Sequence, residues 1–117
     1  MTHSRIVITG MGMVSPLGCG VDKVWQRLCQ GQSGIGAIDR FDVSDFPIKI
    51  AGLVPDIAQD PDAGLDADAL LTPKERKKLG LFTVYAMAAA EEALRQADWF
   101  PTEQADQEAT STIIASG

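Results

Sequence analysis

Apolar positions along this chain include two short continuous runs near its ends, Ile6-Val7-Ile8 and Ile113-Ile114-Ala115, with stretches of helical periodicity between them. Uninterrupted, β-branched runs of this length predict strands covered on both faces in an α/β sheet. Val21, Val24, Trp25 and Leu28 recur at helical spacing. Asp22 can cap that helix and Gly31 stops it, so the element is predicted to run to about Gln30, with Trp25 and Leu28 as core anchors. The turn-rich connector Gln32-Ser33-Gly34-Ile35-Gly36 leads to Ile38-Asp39-Arg40-Phe41-Asp42. After Pro47, the segment Ile48–Val54 predicts a short strand, at a sheet edge or in an excursion.

A second helix has a marked start. Thr72 as N-cap, Pro73 at the first helical position and Glu75 three residues after the cap make a capping box. Leu79, Phe82, Ala86, Ala89, Ala90, Ala93 and Leu94 carry the pattern to about Ala97, and the alanines on that face let a neighbouring element approach closely. Between Pro55 and Leu71 the composition shifts to Asp56, Asp60, Asp62, Asp66 and Asp68 with Pro55 and Pro61, which predicts an acidic, solvated surface loop over 55–71. An EF-hand calcium loop would need a glutamate at its twelfth position, and none is present. Past Trp99-Phe100-Pro101, an acidic link through Glu103, Asp106 and Glu108 leads to a predicted strand at Thr112–Ser116 and a glycine turn at Gly117. An apolar strand of that kind needs a paired neighbour and covering layers, so the fold is expected to be incomplete.

Composition narrows the function classes. The 117 residues suit one small domain, and a net charge of −6 argues against a general nucleic-acid binder, whose footprint would be basic. No apolar run reaches membrane-spanning length, and the early first strand leaves no room for a leader, so a cytoplasmic protein is expected. Cys19 and Cys29 lack metal-ligand spacing and are too few for a disulfide scaffold; both are expected to be reduced, packing thiols. The one histidine, His3, sits in the N-terminal tail.

The most informative stretch is the glycine-rich turn that follows the first strand, with Gly10, Gly12 and Gly18 placed for positive φ or close backbone approach. A dinucleotide fingerprint would need a third glycine at the position held by Ser15, and Pro16 follows where a helix should already be running. A Gly-Lys-Ser/Thr phosphate loop is also absent from the sequence. A nucleotide-binding protein therefore stands only as a competing reading.

The words Val7-Ile8-Thr9-Gly10-Met11-Gly12-Met13-Val14-Ser15-Pro16-Leu17-Gly18, then Trp25, Leu28 and Gly31-Gln32-Ser33-Gly34-Ile35, then Arg40-Phe41-Asp42 and Ala51-Gly52-Leu53-Val54, and the lysine-rich opening of the alanine helix, occur in order. This series resembles the N-terminal part of the β-ketoacyl-[acyl-carrier-protein] synthases, most closely the type II elongating enzymes of bacterial fatty-acid synthesis. The resemblance implies an α/β, thiolase-like layered αβαβα fold, of which residues 1–117 would form the opening part of the N-terminal half. It implies decarboxylative condensation of malonyl-carrier protein with an acyl-enzyme thioester, with no cofactor or metal. A cysteine thiolate at a helix N-terminus takes the acyl group and two histidines assist. In that family these residues fall beyond Gly117, and neither Cys19, Cys29 nor His3 matches them, so the chain alone is expected to be inactive. The implied partners are acyl carrier protein bearing acyl and malonyl phosphopantetheine, the remainder of the synthase chain, and a second subunit in a homodimer. Two departures from the family pattern are a longer Asp-rich connection and Ala97-Asp98-Trp99-Phe100 where the second helix usually ends in glycine.

Lys74, Arg76, Lys77 and Lys78 place four cations at the start of the alanine helix, where the positive helix dipole end disfavours them. Lys74, Lys77 and Lys78 share one face at helical spacing, with Arg76 turned aside. The resemblance makes this trio a docking site for the acidic carrier protein; without it, the cluster reads as a solvated face paired with loop aspartates. A non-catalytic carrier-binding module and a polyketide-type ketosynthase fragment remain alternatives.

Overall fold

The structure is a computed structural model that describes residues 3–116. Its central feature is a tight β-hairpin, β1 (Val14–Ser15) against β2 (Gly18–Cys19), turned by Pro16 and Leu17. Proline presets the turn angle, the Ser15 hydroxyl accepts the Leu17 N–H at 3.1 Å, and Gly18 leaves the turn at a φ of 116°. Helix α1 (Val21–Cys29) follows at once. Its N-cap is Gly20, with a φ of 94°, and not Asp22, which lies in the first turn where its charge suits the helix dipole.

A second hairpin joins β3 (Ile35–Ala37) to β4 (Ile50–Gly52) in antiparallel register, Ile35 opposite Gly52 and Ala37 opposite Ile50. The predicted strand at 48–54 is thus present but shorter. It seats on the first hairpin through Pro16, which lies so close to Gly34 and Gly52 that an added Cβ would fall 2.5 Å and 2.8 Å from its ring atoms. Phe41 and Phe46 pack edge to face in the long loop of this arm.

The acidic stretch is not simply a solvated loop. Asp56, Asp62, Asp66 and Asp68 are exposed and Asp60 is partly covered, but Ala63, Leu65 and Leu71 are buried, and Leu65 joins Val54, Leu71 and Val84 in the core cluster. Asp56 and Leu65 form a parallel bridge, and α2 (Ala67–Leu70) is capped by the Asp66 side chain, which accepts the Ala69 N–H at 3.0 Å. Composition hid the apolar residues here because they are spaced among polar ones with no helical or strand period.

The long second helix divides in two. The capping box at Thr72 and Glu75 forms as expected, but it opens only α3 (Pro73–Arg76). Lys77 to Leu79 turn, Gly80 is extended at φ −68° and ψ 152°, and α4 (Leu81–Ala97) starts anew. Helix α4 ends on Asp98 in the left-handed conformation, the place a glycine usually takes. A short helix, α5 (Gln104–Glu108), precedes the C-terminal segment.

The two strands expected at Ile6–Ile8 and Ile113–Ala115 do not form among the described residues; Gly117 lies outside them. Ile6 is 97% exposed and Ile113 92%. These runs have the residues of interior strands, yet the described residues offer them no ladder partner, and a strand without one does not hold. Trp25 and Leu28 likewise stand open, Trp25 at 64% exposure, so they are not core anchors within this structure; Val24 holds α1 to the core instead.

Candidate functional site

The glycine turn is occupied by its own protein. Gly10 and Gly12 lie directly on the backbone of α4: a Cβ on Gly10 would stand 2.0 Å from the Ala93 carbonyl oxygen, and one on Gly12 1.7 Å from that of Ala89. Neither glycine has positive φ; they are needed for close approach, and the alanine face of α4 is the surface they approach. The positive-φ positions are Gly18, Gly20 and Gly31.

Backbone donors of the turn are taken as well. Gln96 Oε1 accepts the Met11 N–H at 2.7 Å, Glu92 Oε2 the Met13 N–H at 2.9 Å, and Glu92 Oε1 the Val21 N–H at 2.8 Å. Val21 is the first residue of α1, so the N–H groups that would greet a phosphate in a dinucleotide site meet a carboxylate of the same chain. A nucleotide therefore finds neither the open backbone nor the free helix N-terminus that such recognition requires.

On the far side of the turn, Arg27 from α1 reaches across to the acidic stretch. It pairs with Asp60 through both guanidinium nitrogens and donates to the Leu17 carbonyl at 2.9 Å. The Arg27 guanidinium, helped by the N–H groups of Ala63 and Asp62, holds the Asp60 carboxyl down to about 2. Lys23 and Asp62 make a second, more exposed pair at 2.7 Å. These aspartates fasten the loop to α1 by ion pairs.

Cys19 lies on β2 against the core cluster, and burial, then the nearby carboxylates of Glu92 and Asp60, push its thiol up. That is the reverse of what activates a nucleophile. Cys29 is exposed, against expectation. It closes α1 at the C-terminal end. His3 is exposed near the start of the described residues.

Lys74, Lys77 and Lys78 are all exposed. Lys74 lies in the single turn of α3, Lys77 is its C-cap and Lys78 follows. Because α3 and α4 are separate, the lysines do not burden the N-terminus of the alanine helix. Lys77 and Lys78 sit at and past the C-terminal end of α3, where positive charge suits the dipole. Arg76 is the residue that pairs with the loop, through Asp68. Among the described residues no carboxylate lies within ion-pair distance of the three lysines, which form a charged surface open to a partner. Glu92, Gln96 and Arg27 are the working residues that pattern reading missed; helical periodicity places Glu92 and Gln96 one turn apart on α4, but not what they face.

Comparison with known proteins supplies the frame. A family profile described as "Beta-ketoacyl synthase, N-terminal domain" matches residues 3–117. The chain is 46% identical over 113 residues to a 3-oxoacyl-[acyl-carrier-protein] synthase 2 of Rhizobium meliloti, covering 97% of this chain and 27% of that protein. It is 40% identical over 94 residues to the synthase of the same name from Vibrio cholerae, covering 80% and 21%. A mitochondrial 3-oxoacyl-[acyl-carrier-protein] synthase of Arabidopsis thaliana is 36% identical over 130 residues, covering 99% and 27%. Among solved structures, the ishigamide ketosynthase/chain length factor superposes with a TM-score of 0.65 at 31% identity, over 80% of this chain and 21% of that one. The chain thus spans about a quarter of the length of the curated relatives it matches. Match and superposition together support a thiolase-like fold of mixed helix and strand.

Proposed function

The chain belongs to the β-ketoacyl synthase family through its N-terminal domain, and on that premise we propose that it is part of a 3-oxoacyl-[acyl-carrier-protein] synthase. The observation that carries this reading is the identity to the Rhizobium meliloti synthase over nearly the whole chain. The complete protein then elongates acyl chains in fatty-acid synthesis: a malonyl group carried on acyl carrier protein loses carbon dioxide, and the carbanion left behind attacks the carbonyl of an acyl group held as an enzyme thioester, releasing the enzyme thiolate. We place residues 1–117 in the opening part of the N-terminal half of a five-layer αβαβα architecture, within a cytoplasmic homodimer that needs no cofactor. Mitochondrial and chloroplast relatives make an organelle the alternative location.

The acyl-accepting thiol is assigned outside residues 1–117. Cys19 is deactivated by burial and carboxylates, and Cys29 lies at the wrong end of its helix. The part of this segment in the reaction is docking: Lys74, Lys77 and Lys78 receive the acidic carrier protein, supported by their exposure and their lack of ion-pair partners among the described residues. A polyketide-type ketosynthase is the second reading, drawn from the ketosynthase/chain length factor relative.

The full-length natural protein, given acyl- and malonyl-carrier protein, is expected to release carbon dioxide and a 3-oxoacyl product two carbons longer. No condensation with any acyl-carrier substrate would overturn the assignment, and a product carrying several unreduced keto groups would favour the polyketide reading. In the same protein, Lys74→Glu, Lys77→Glu and Lys78→Glu together are expected to weaken carrier-protein binding roughly tenfold or more at low salt and to flatten its salt dependence. Unaltered affinity across a salt series removes the docking role while leaving the family reading intact.

A further inference from the structure

We propose that Glu92 is the positioning residue of the glycine turn, an internal anion that caps helix α1 from another element and holds the turn against α4. Helix α1 has no local side-chain cap, since its N-cap is Gly20. Its first N–H, on Val21, would lack a partner within the helix. The Glu92 carboxylate meets it at 2.8 Å from a residue 71 positions away and uses its other oxygen on Met13, on the far side of the hairpin. One carboxylate thus ties together the entry to β1 and the entry to α1. The Gly20 N–H closes the same loop from within, donating to the Met13 carbonyl at 2.9 Å.

Three features make this a carboxylate's task and not a packing contact. Both donors are backbone N–H groups, so the receiving side chain must offer two acceptor oxygens; a carboxylate does so, whereas an amide turns an NH2 group toward one of the donors. The positive end of α1 favours negative charge at Val21. And Gly12, between the two contacts of α4 with Met11 and Met13, lies on the helix backbone at a distance no side chain permits, so the turn reaches Glu92 only by this approach. Gln96, one helical turn on, takes the remaining donor, Met11.

A groove of about 460 Å³ lined by Val21, Asp22, Glu91, Glu92 and Arg95 opens beside the carboxylate, so a small anion can reach the place it leaves. That permits a test by replacement. In the full-length natural protein carrying Glu92→Ala, hydrogen exchange at the Met13 and Val21 amides is expected to speed up about tenfold or more, with the Leu79 amide unchanged. Sodium formate at tens of millimolar should restore the protection in part, sodium chloride at equal ionic strength should not, and the unsubstituted protein should respond to neither. Exchange at unchanged rates, or equal restoration by chloride and formate, overturns the proposal. Should Glu92→Ala fail to fold, Glu92→Gln decides: protection is expected to fall at one or both of the two amides, and full protection at both would show that a carboxylate is not required.

Discussion

At the scale of single residues, the glycines divide by what their missing side chains allow. Gly12 faces a backbone carbonyl at 1.7 Å from its would-be Cβ, and a helix backbone cannot step aside as a side chain can. Gly12→Ala is therefore expected to cost about 3 kcal/mol or more by overpacking. Gly36, with no atom within 4 Å of a built Cβ and no positive φ, is the matched control, and Gly36→Ala should stay within about 0.5 kcal/mol. Urea unfolding of the two variants side by side checks this; equal losses would mean the turn does not rest on α4. Asp60 gives a pH-dependent counterpart. Its carboxyl falls from an ordinary 3.8 to about 2 in the folded protein, so the Arg27 pair stabilises above about pH 4. That contribution is lost as pH drops from about 4 through 2, because the unfolded chain binds the proton first. Asp60→Asn should lower the urea midpoint at neutral pH and flatten its fall between pH 4 and 2. An acid limb as steep as before would place the titrating group elsewhere.

At the scale of elements, what was legible in the sequence depended on how local the cause was. The capping box at Thr72 and Glu75 is complete within four residues and forms as expected. The start of α1 was misplaced by two residues, because its cap, Glu92, comes from the other end of the chain. The alanine helix was extended through Gly80 because Leu79 and Phe82 keep the period, while an extended glycine at the break costs little in either arrangement. The C-terminus of α4 shows the same limit from another side. Asp98 holds φ 52° and ψ 41°, a conformation that a side chain adopts at some cost and glycine adopts freely. Asp98→Gly is expected to raise stability by about 0.5–1 kcal/mol, read as a higher melting temperature. A drop would show that the Asp98 side chain contributes more than the backbone relief returns. Lys74, Lys77 and Lys78 do not head the long helix, because the break at Gly80 separates α3 from α4 and puts Lys77 and Lys78 at and past a helix C-terminus, where their dipole interaction is favourable.

At the scale of the molecule, the apolar pattern was legible but its destinations were not. Runs such as Ile6-Val7-Ile8 state that a strand is wanted, and only a neighbour decides whether it forms. The described structure has a radius of gyration of 17.5 Å and an accessible surface of 9347 Å². A compact chain of this mass would have about 13 Å and about 6,200 Å². The excess coincides with residues that sequence reasoning assigned to an interior: Ile6, Ile8, Trp25, Phe82 and Ile113 are all more than half exposed. Their exposure has a measurable consequence for the 117-residue chain in isolation. Unfolding would expose about 9,000 Å² where a compact domain of equal length exposes about 12,000 Å². Since the denaturant slope scales with that change, urea unfolding of this chain should show a slope about three quarters of that expected for its length. A slope of full size would mean that the apolar strands and the outer faces of α1 and α4 find cover within the chain itself. The open surfaces would then not be the sites where the other layers of a ketosynthase fold settle.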